Sequence, residues 1–515
     1  MQALNTSGFS CLFAHFNPNN GVCEHVYTFL DHLLSLNIRI VFISNSPVRE
    51  KDRLRLKNAG VYKIVERENK GNDFGAWQFA IRNSLIPDDT EHLLLTNDSI
   101  FGPFWDLAPI IREMSEQPVD FWGLTDSLQG EWHIQSYFVS LSKKVFTSTA
   151  FSKVFSGNFS GFQKKEIIEK GEIFLTTELV RNGFSAAVRY PYQQLDPDCM
   201  PTSAYNPTHH FFAELIVSHR FPFLKKELVL QNPENLPGVH DILDYISQNS
   251  DYHLGNIKNT LIDAFQTEAA DKPNRPAISV LCHIYYPTSI YYFLLRISAL
   301  RSYNSTFIFN LSSALFYNEF FMDVLKTAFP EAILLHSPAK GRDIGGKMVA
   351  IDALLRLDTP SDYSLIIHDK LSPHAPTGKE WRDTLFKIIA RDRLPEVMNT
   401  FDQKPKVGAI TEGNFIKNEY DPDKEGFTCT SNENLLSYIS QYDLNLSSYN
   451  FAAGTIFWIR TTILKEFFGR HTPLSIRETL ESGNALDFNK GTNIHAWERL
   501  FTLIADAMGY KVTGI

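Results

Sequence analysis

Residues 68–77 read ENKGNDFGAW, and residues 339–348 read AKGRDIGGKM. The first stretch sets Gly71, Asn72, Asp73 and Gly75 within five residues, directly after the apolar-alternating run VYKIVE. Glycines allow turns and close backbone approaches that other residues resist. A strand that ends in such a turn, with a carboxylate inside it, has two readings. The turn can present N–H groups to an anion while Asp73 bonds a base, a ribose or a catalytic loop. Alternatively, Asp73 caps the helix that follows. The second stretch places Arg342, a side chain suited to phosphate, between Gly341 and Asp343. Two copies at matched positions favour the ligand reading.

The repetition extends outward on both sides. CLFAHFNPNN, with His15, precedes the first turn, and SVLCHIYYPTS, with His283, precedes the second. The histidine-to-glycine spacing is 56 residues in one copy and 58 in the other. Beyond the turns, EHLLLTNDSIFGP runs into Asn97, Asp98 and Ser99, and DYSLIIHDKLSPH runs into His368, Asp369 and Lys370. The glycine-to-aspartate spacing is 27 and then 28 residues. An internal duplication follows, with its boundary in the polar, proline-bearing stretch QTEAADKPNRP. The expected modules are residues 1–268 and 269–515, each a comfortable single domain.

Short β-branched runs such as IRIVFISNS alternate with helical patterns such as HVYTFLDHLLSL. That alternation predicts an α/β fold, two tandem Rossmann-like modules with mostly parallel sheets and helices on both faces. Ligands bind outside the carboxyl ends of the strands in such sheets. NDS and HDK both stand at such ends. A carboxylate there can hold a divalent cation, Mg or Mn, on a pyrophosphate, which makes Asp98 and Asp369 candidate metal ligands. NDS offers only one aspartate, however. In HDK, either Lys370 replaces the metal as the charge facing pyrophosphate, or His368, Asp369 and His374 hold one.

FWGLTDS and EWHIQSYFVS bring Asp126, His133, Gln135 and Ser136. These suit hydrogen bonding to sugar hydroxyls, although a histidine on such a strand is as readily a satisfied core residue. In the second copy, AAGTIFW sets Gly454 and Thr455 in place of Gln135 and Ser136. The late helices TTELVRNGF, with Glu178 and Gly183, and NIHAWERLFTLIADAMGY, with His495, Glu498 and Gly509, carry candidate bases. On surface helices, acids of this kind are usually only solvated.

Composition narrows the partners. The chain has 515 residues, 43 % apolar and 21 % charged, which is globular and too long for one core. Aromatics reach 13 %, with 40 Phe, which serves either stacking platforms or a bulky core. A net charge of −9 without a basic block argues against nucleic acid. Any anionic ligand must then be met locally, by glycine turns, a few Arg or Lys, or a metal. Five scattered cysteines without a CxxC pair fit a reducing cytoplasm. No signal peptide and no membrane-spanning run is expected, and peripheral membrane contact stays open.

With these motifs in order, the chain resembles the rhamnan synthesis protein F family. HFNPNN, VFISNSPV, RENKGNDFGAW, LLLTNDSIFGP, HIQSYFVS and AYNPTHHF carry the likeness in the first half. HIYYP, KGRDIGG, HDKLSPHAPTGKEW and HAWERLF carry it in the second. The resemblance implies A-type (GT-A) glycosyltransferase modules, a nucleotide-sugar donor such as dTDP-L-rhamnose, and a growing lipid-linked glycan as acceptor. It also implies a cytoplasmic protein or one at the inner membrane face. Asn72 departs from the Arg or aromatic residue common there, and Asp369 from the expected Thr.

On that basis Gly71, Asn72, Asp73, Asn97, Ser99, Gln135, Gly341, Arg342, Asp343, His368 and Lys370 are donor-binding candidates. Asp98, Asp126, His133, Asp369, His495 and Glu498 are catalytic candidates. Three functions compete: a bifunctional transferase, one active module with a degenerate acceptor-gripping copy, and a non-catalytic glycan-binding scaffold.

Overall fold

The computed structural model describes residues 8–196, 204–266, 275–369, 378–421, 423, 426–427, 432–483 and 491–515. The chain divides into two compact units, Met1–Ala264 and Phe265–Ile515. The module boundary expected at 268 lies outside the described residues.

In the first unit, the strands Lys63–Glu66, Arg39–Ser44, Phe9–His15 and His92–Asn97 lie side by side and parallel. Phe138–Ser142 then pairs antiparallel to His92–Asn97, and Phe121–Ser127 antiparallel to Phe138–Ser142. Ala186–Tyr190 returns parallel to Phe121–Ser127. The central strands are apolar on both faces because helices cover both sides. Leu12, Val41, Leu93 and Leu95 pack with Phe74, Trp77 and Ala80 of the helix Asn72–Arg82.

The second unit repeats this order. Ile333–His336, Asn304–Leu311, Ala277–Ile284 and Tyr363–His368 are parallel. Phe457–Arg460 lies antiparallel between Tyr363–His368 and Val407–Thr411, and Lys511–Gly514 closes parallel to Val407–Thr411. The doubled, parallel-rich α/β architecture expected from the sequence is therefore present.

Register corrects one landmark. Ala14 stands opposite Asn97, whereas His283 stands opposite His368. His283 therefore matches Ala14, and His15 lies one residue further on, facing the other side of its sheet. The exchange is compensated across the interface. Ala14 and Ala76 belong to one apolar core cluster in the first unit, while the ring of His283 lies where a Cβ on Gly346 would come within 2.3 Å.

The glycine–aspartate turns are alike in backbone detail. Gly71 (φ 79°) and Asn72 (φ 48°) enter the first helix in the left-handed region, as do Gly341 (φ 72°) and Arg342 (φ 51°) the second. An added Cβ would sit 2.1 Å from the Lys70 carbonyl oxygen at Gly75 and 1.9 Å from that of Lys340 at Gly345. These glycines let the preceding carbonyl fold over the first helical turn. Gly345→Ala is expected to destabilise the second unit by about 3 kcal/mol through this overlap, read as a lowered urea midpoint. An unchanged midpoint would contradict the turn as described.

Candidate active sites

Both clefts open at the carboxyl ends of the parallel strands, beside the turn that starts the helix. In the first, the Asp73 carboxylate accepts from the Phe74 amide (3.0 Å) and from Asn97 Nδ2 (2.9 Å). Gly71 occupies the N-cap, so Asp73 links the helix to a strand end rather than capping it. Burial pushes its carboxyl up to about 6, with the charge of Glu172 adding to the effect. Asn97 also accepts from the Ser99 amide (3.1 Å) and hydroxyl (2.6 Å), which fixes the NDS turn.

Asp98 points to a cation. Lys226 Nζ lies 3.1 Å from its Oδ2. Burial alone opposes ionisation of this carboxyl, but Lys226, His15 and His25 outweigh it and hold it below the usual range. The cleft encloses about 270 Å³ and includes Asn45, Asp73, Asp98, Ser136, Lys164 and Glu172 among its walls.

Glu172 escaped sequence reasoning. Its Oε2 accepts from the Ser136 amide (2.7 Å), and its Oε1 lies 3.6 Å from His133 Nε2. Burial opposes its charge, yet His133 and Ser136 hold it down to about 2. His133 is buried, which disfavours its cation, but Glu172 lifts it above the ordinary imidazole range. In the second unit, Glu498 Oε1 accepts from the Gly454 amide at 2.8 Å.

Ser136 and Gly454 are equivalent positions. Each precedes by three residues the one paired with Leu95 or Ile366 in the central strands. Gly454 and Thr455 thus match Ser136 and Tyr137, not Gln135 and Ser136. Glu172 is the counterpart of Glu498, a role the sequence reading gave to Glu178. A spacing signal existed, since Glu172 and Glu498 each stand eleven residues before a glycine, Gly183 or Gly509. Glu178 instead pairs with Lys153 at 2.9 Å on a helix.

Four first-unit candidates, Gly71, Asp126, His133 and Gln135, stand outside the cleft wall. Asp126 accepts from Trp132 Nε1 and the Tyr192 amide, both at 2.6 Å, tying a strand to its neighbours. Gln135 is held by Thr125 (2.8 Å) and Asn206 (3.2 Å). His133 meets the cleft wall through Glu172.

The second cleft is larger, about 600 Å³, and gathers Arg342, Asp343, His368, Asp369, His495 and Glu498. Behind its wall, bonded to three lining residues, a lysine stands where the first unit has Trp77. Lys347 is wholly buried and donates to Asp343 Oδ2 (2.9 Å), His368 Nδ1 (3.0 Å) and the Thr455 carbonyl (2.8 Å). His495 Nδ1 lies 2.8 Å from the Thr492 hydroxyl at the start of its helix. Lys370 and His374 fall outside the described residues.

Asp369 differs from its counterpart Asp98. Its carboxyl accepts from the Tyr285 amide (2.9 Å) and the Tyr286 amide (2.6 Å), and burial pushes it up to about 8. The folded state therefore holds a proton that the unfolded chain, with an ordinary aspartate near 4, releases. Stability of the second unit is expected to fall as pH rises from about 4 to about 8. Asp369→Asn should flatten that slope in urea titrations, and an unaltered slope would contradict the assignment.

Among the described residues, the donor sets do not fit a divalent cation. Lys226 already takes Asp98, and both Asp369 oxygens accept from the Tyr285 and Tyr286 amides. Among the described residues, no group of three or more His, Cys, Asp or Glu side chains is arranged to hold a metal. Among the same residues, no helix is long and apolar enough to cross a membrane.

The family model of rhamnan synthesis protein F matches residues 40–510. The chain belongs to the rhamnan synthesis protein F family. That membership makes it a protein of polysaccharide synthesis. Among curated relatives, the virulence protein VirA of Vibrio anguillarum is 29 % identical over 217 residues, covering 37 % of this chain and 69 % of VirA. The y4gN protein of Sinorhizobium fredii is 30 % identical over 178 residues, covering 33 % and 45 %. Among solved structures, the glycosyltransferase GlyE of Streptococcus pneumoniae aligns over 75 % of this chain and 91 % of its own at 10 % identity, with a TM-score of 0.29.

Proposed function

We propose that this rhamnan synthesis family member is a nucleotide-sugar-dependent glycosyltransferase with GT-A-like modules at residues 1–268 and 269–515, each carrying a transfer centre. The observation that carries the reading is the matched pair of carboxylates, Glu172 and Glu498, each in a cleft wall with the glycine–aspartate turn. A turn at a helix N-terminus suits the donor diphosphate, and Arg342 adds a cation to it in the second cleft. Asp73 and Asp343 orient the donor. As the anomeric carbon parts from the diphosphate oxygen, the acceptor hydroxyl oxygen bonds to that carbon. Its proton passes to Glu498, or to Glu172 in the first centre. The family points to L-rhamnose as the sugar and to a lipid-linked bacterial glycan as the acceptor, met at the cytoplasmic side of the membrane.

One observation favours a second reading, a single active centre with a copy that grips the acceptor. Glu172 is held so firmly by His133 and Ser136 that it is a weak base. The discriminating assay is release of nucleoside diphosphate from UDP-, GDP- and dTDP-sugars in the presence of saccharide acceptors. Multiple turnover with one or more donors is expected. Release from none of them would overturn the transferase reading.

A further inference from the structure

In the first cleft the acid at the strand end, Asp98, is paired with a lysine, and a second lysine lies beside its neighbour Ser99. Lys225 and Lys226 come from a segment far along the chain, yet their register against the NDS turn is fixed. Leu224–Lys225 pairs antiparallel with Ile100–Phe101, and the Lys226 amide donates to the Ser99 carbonyl at 2.8 Å. Lys226 Nζ sits 3.1 Å from Asp98 Oδ2, on the carboxylate that would hold a divalent cation. Lys225 Nζ lies 3.4 Å from the Ser99 hydroxyl and 4.2 Å from the centre of the Tyr137 ring. Lys164 lines the cleft itself.

We propose that the first cleft takes the diphosphate of its ligand without a divalent cation, the charge being met by the paired lysines Lys225 and Lys226. The proposal rests on the donor-site reading above. A lysine is a compact point charge with three donors and serves phosphate well. Lys226 can remain on Asp98 while turning a second N–H to a phosphate oxygen, so Asp98 holds the lysine rather than a metal. Lys164, Lys225 and Lys226 balance Asp73, Asp98 and Glu172, so the cleft has no large excess of negative charge to repel an anion.

The test is calorimetric titration of the full chain with UDP, GDP and dTDP, in EDTA and in MnCl₂, beside Lys226→Met, Lys225→Met and Lys226→Asp. Circular dichroism checks that each variant folds. The component of binding that Lys226→Met weakens, by about tenfold or more, reports the first cleft. That component should keep its affinity within about twofold in EDTA, and Lys225→Met should weaken it as well. Lys226→Asp places two acids together, so its binding should become manganese-dependent.

If the component vanishes in EDTA, the lysines do not replace a metal, although the donor-site reading stands. Binding that is unaltered in folded Lys226→Met also overturns the proposal. If no nucleotide binds under either condition, both the proposal and the donor-site reading fail.

Discussion

Glu498→Gln lowers kcat of the second centre by about 10²–10⁴-fold, the range of a lost general base, with little change in donor KM. Glutamine keeps the size of the side chain and an oxygen to accept from the Gly454 amide. The wall of the cleft should therefore survive the exchange. What glutamine cannot do is accept the hydroxyl proton as the new glycosidic bond forms. Steady-state kinetics and a melting curve separate the two effects. A kcat within threefold of wild type, at unchanged stability, would remove Glu498 from the chemistry.

Lys347→Ala is expected to destabilise the second unit by about 3–5 kcal/mol, the cost of removing one member of a buried ion pair. Asp343 is partly exposed, which pulls the value toward the lower end. The side chain lost is wholly buried and ties a helix, a strand end and the Thr455 segment together. Its removal leaves Asp343 without that cation, the Thr455 carbonyl without that donor, and a cavity behind them. Lys347→Met with Asp343→Asn removes both charges and keeps most of the volume. The double variant should therefore be less destabilised than the sum of its single changes. Urea unfolding reads both results, and a loss below about 1 kcal/mol for Lys347→Ala would contradict the network, since one neutral hydrogen bond accounts for that much.

Much of this architecture is legible in the sequence because its signals are local. A β-branched run followed by Gly71 and Asp73, or by Gly341 and Asp343, specifies a strand, a left-handed turn and a helix start from adjacent residues. The duplication is legible because those turns and the NDS and HDK strand ends keep their spacing. The histidine landmarks slipped by one position because a strand alternates faces at every residue. Only the ladder tells which of Ala14 and His15 matches His283.

Site residues that act across sequence distance were harder to find. Glu172 sits in the charge-rich run KKEIIEKGEI, which forms a π-helical segment over Ile168–Ile173 and looks like a solvated helix. Segments of this kind often mark functional sites. Lys225 and Lys226 are separated from Asp98 by more than a hundred residues and meet it only through a short ladder. Lys347 lies within the quoted turn, but nothing local distinguishes a buried lysine from an exposed one. Asp126 shows the converse, a polar residue at a strand end whose oxygens are consumed by Trp132 and Tyr192.

The central claim is that the duplicated plan carries two transfer centres. Its most direct test is linkage analysis of the glycan products made by the wild-type chain, Glu172→Gln and Glu498→Gln from the same donors and acceptor. Two centres predict that each variant loses one linkage and keeps the other. If Glu498→Gln loses every linkage while Glu172→Gln loses none, there is one centre, and the first unit holds the acceptor instead.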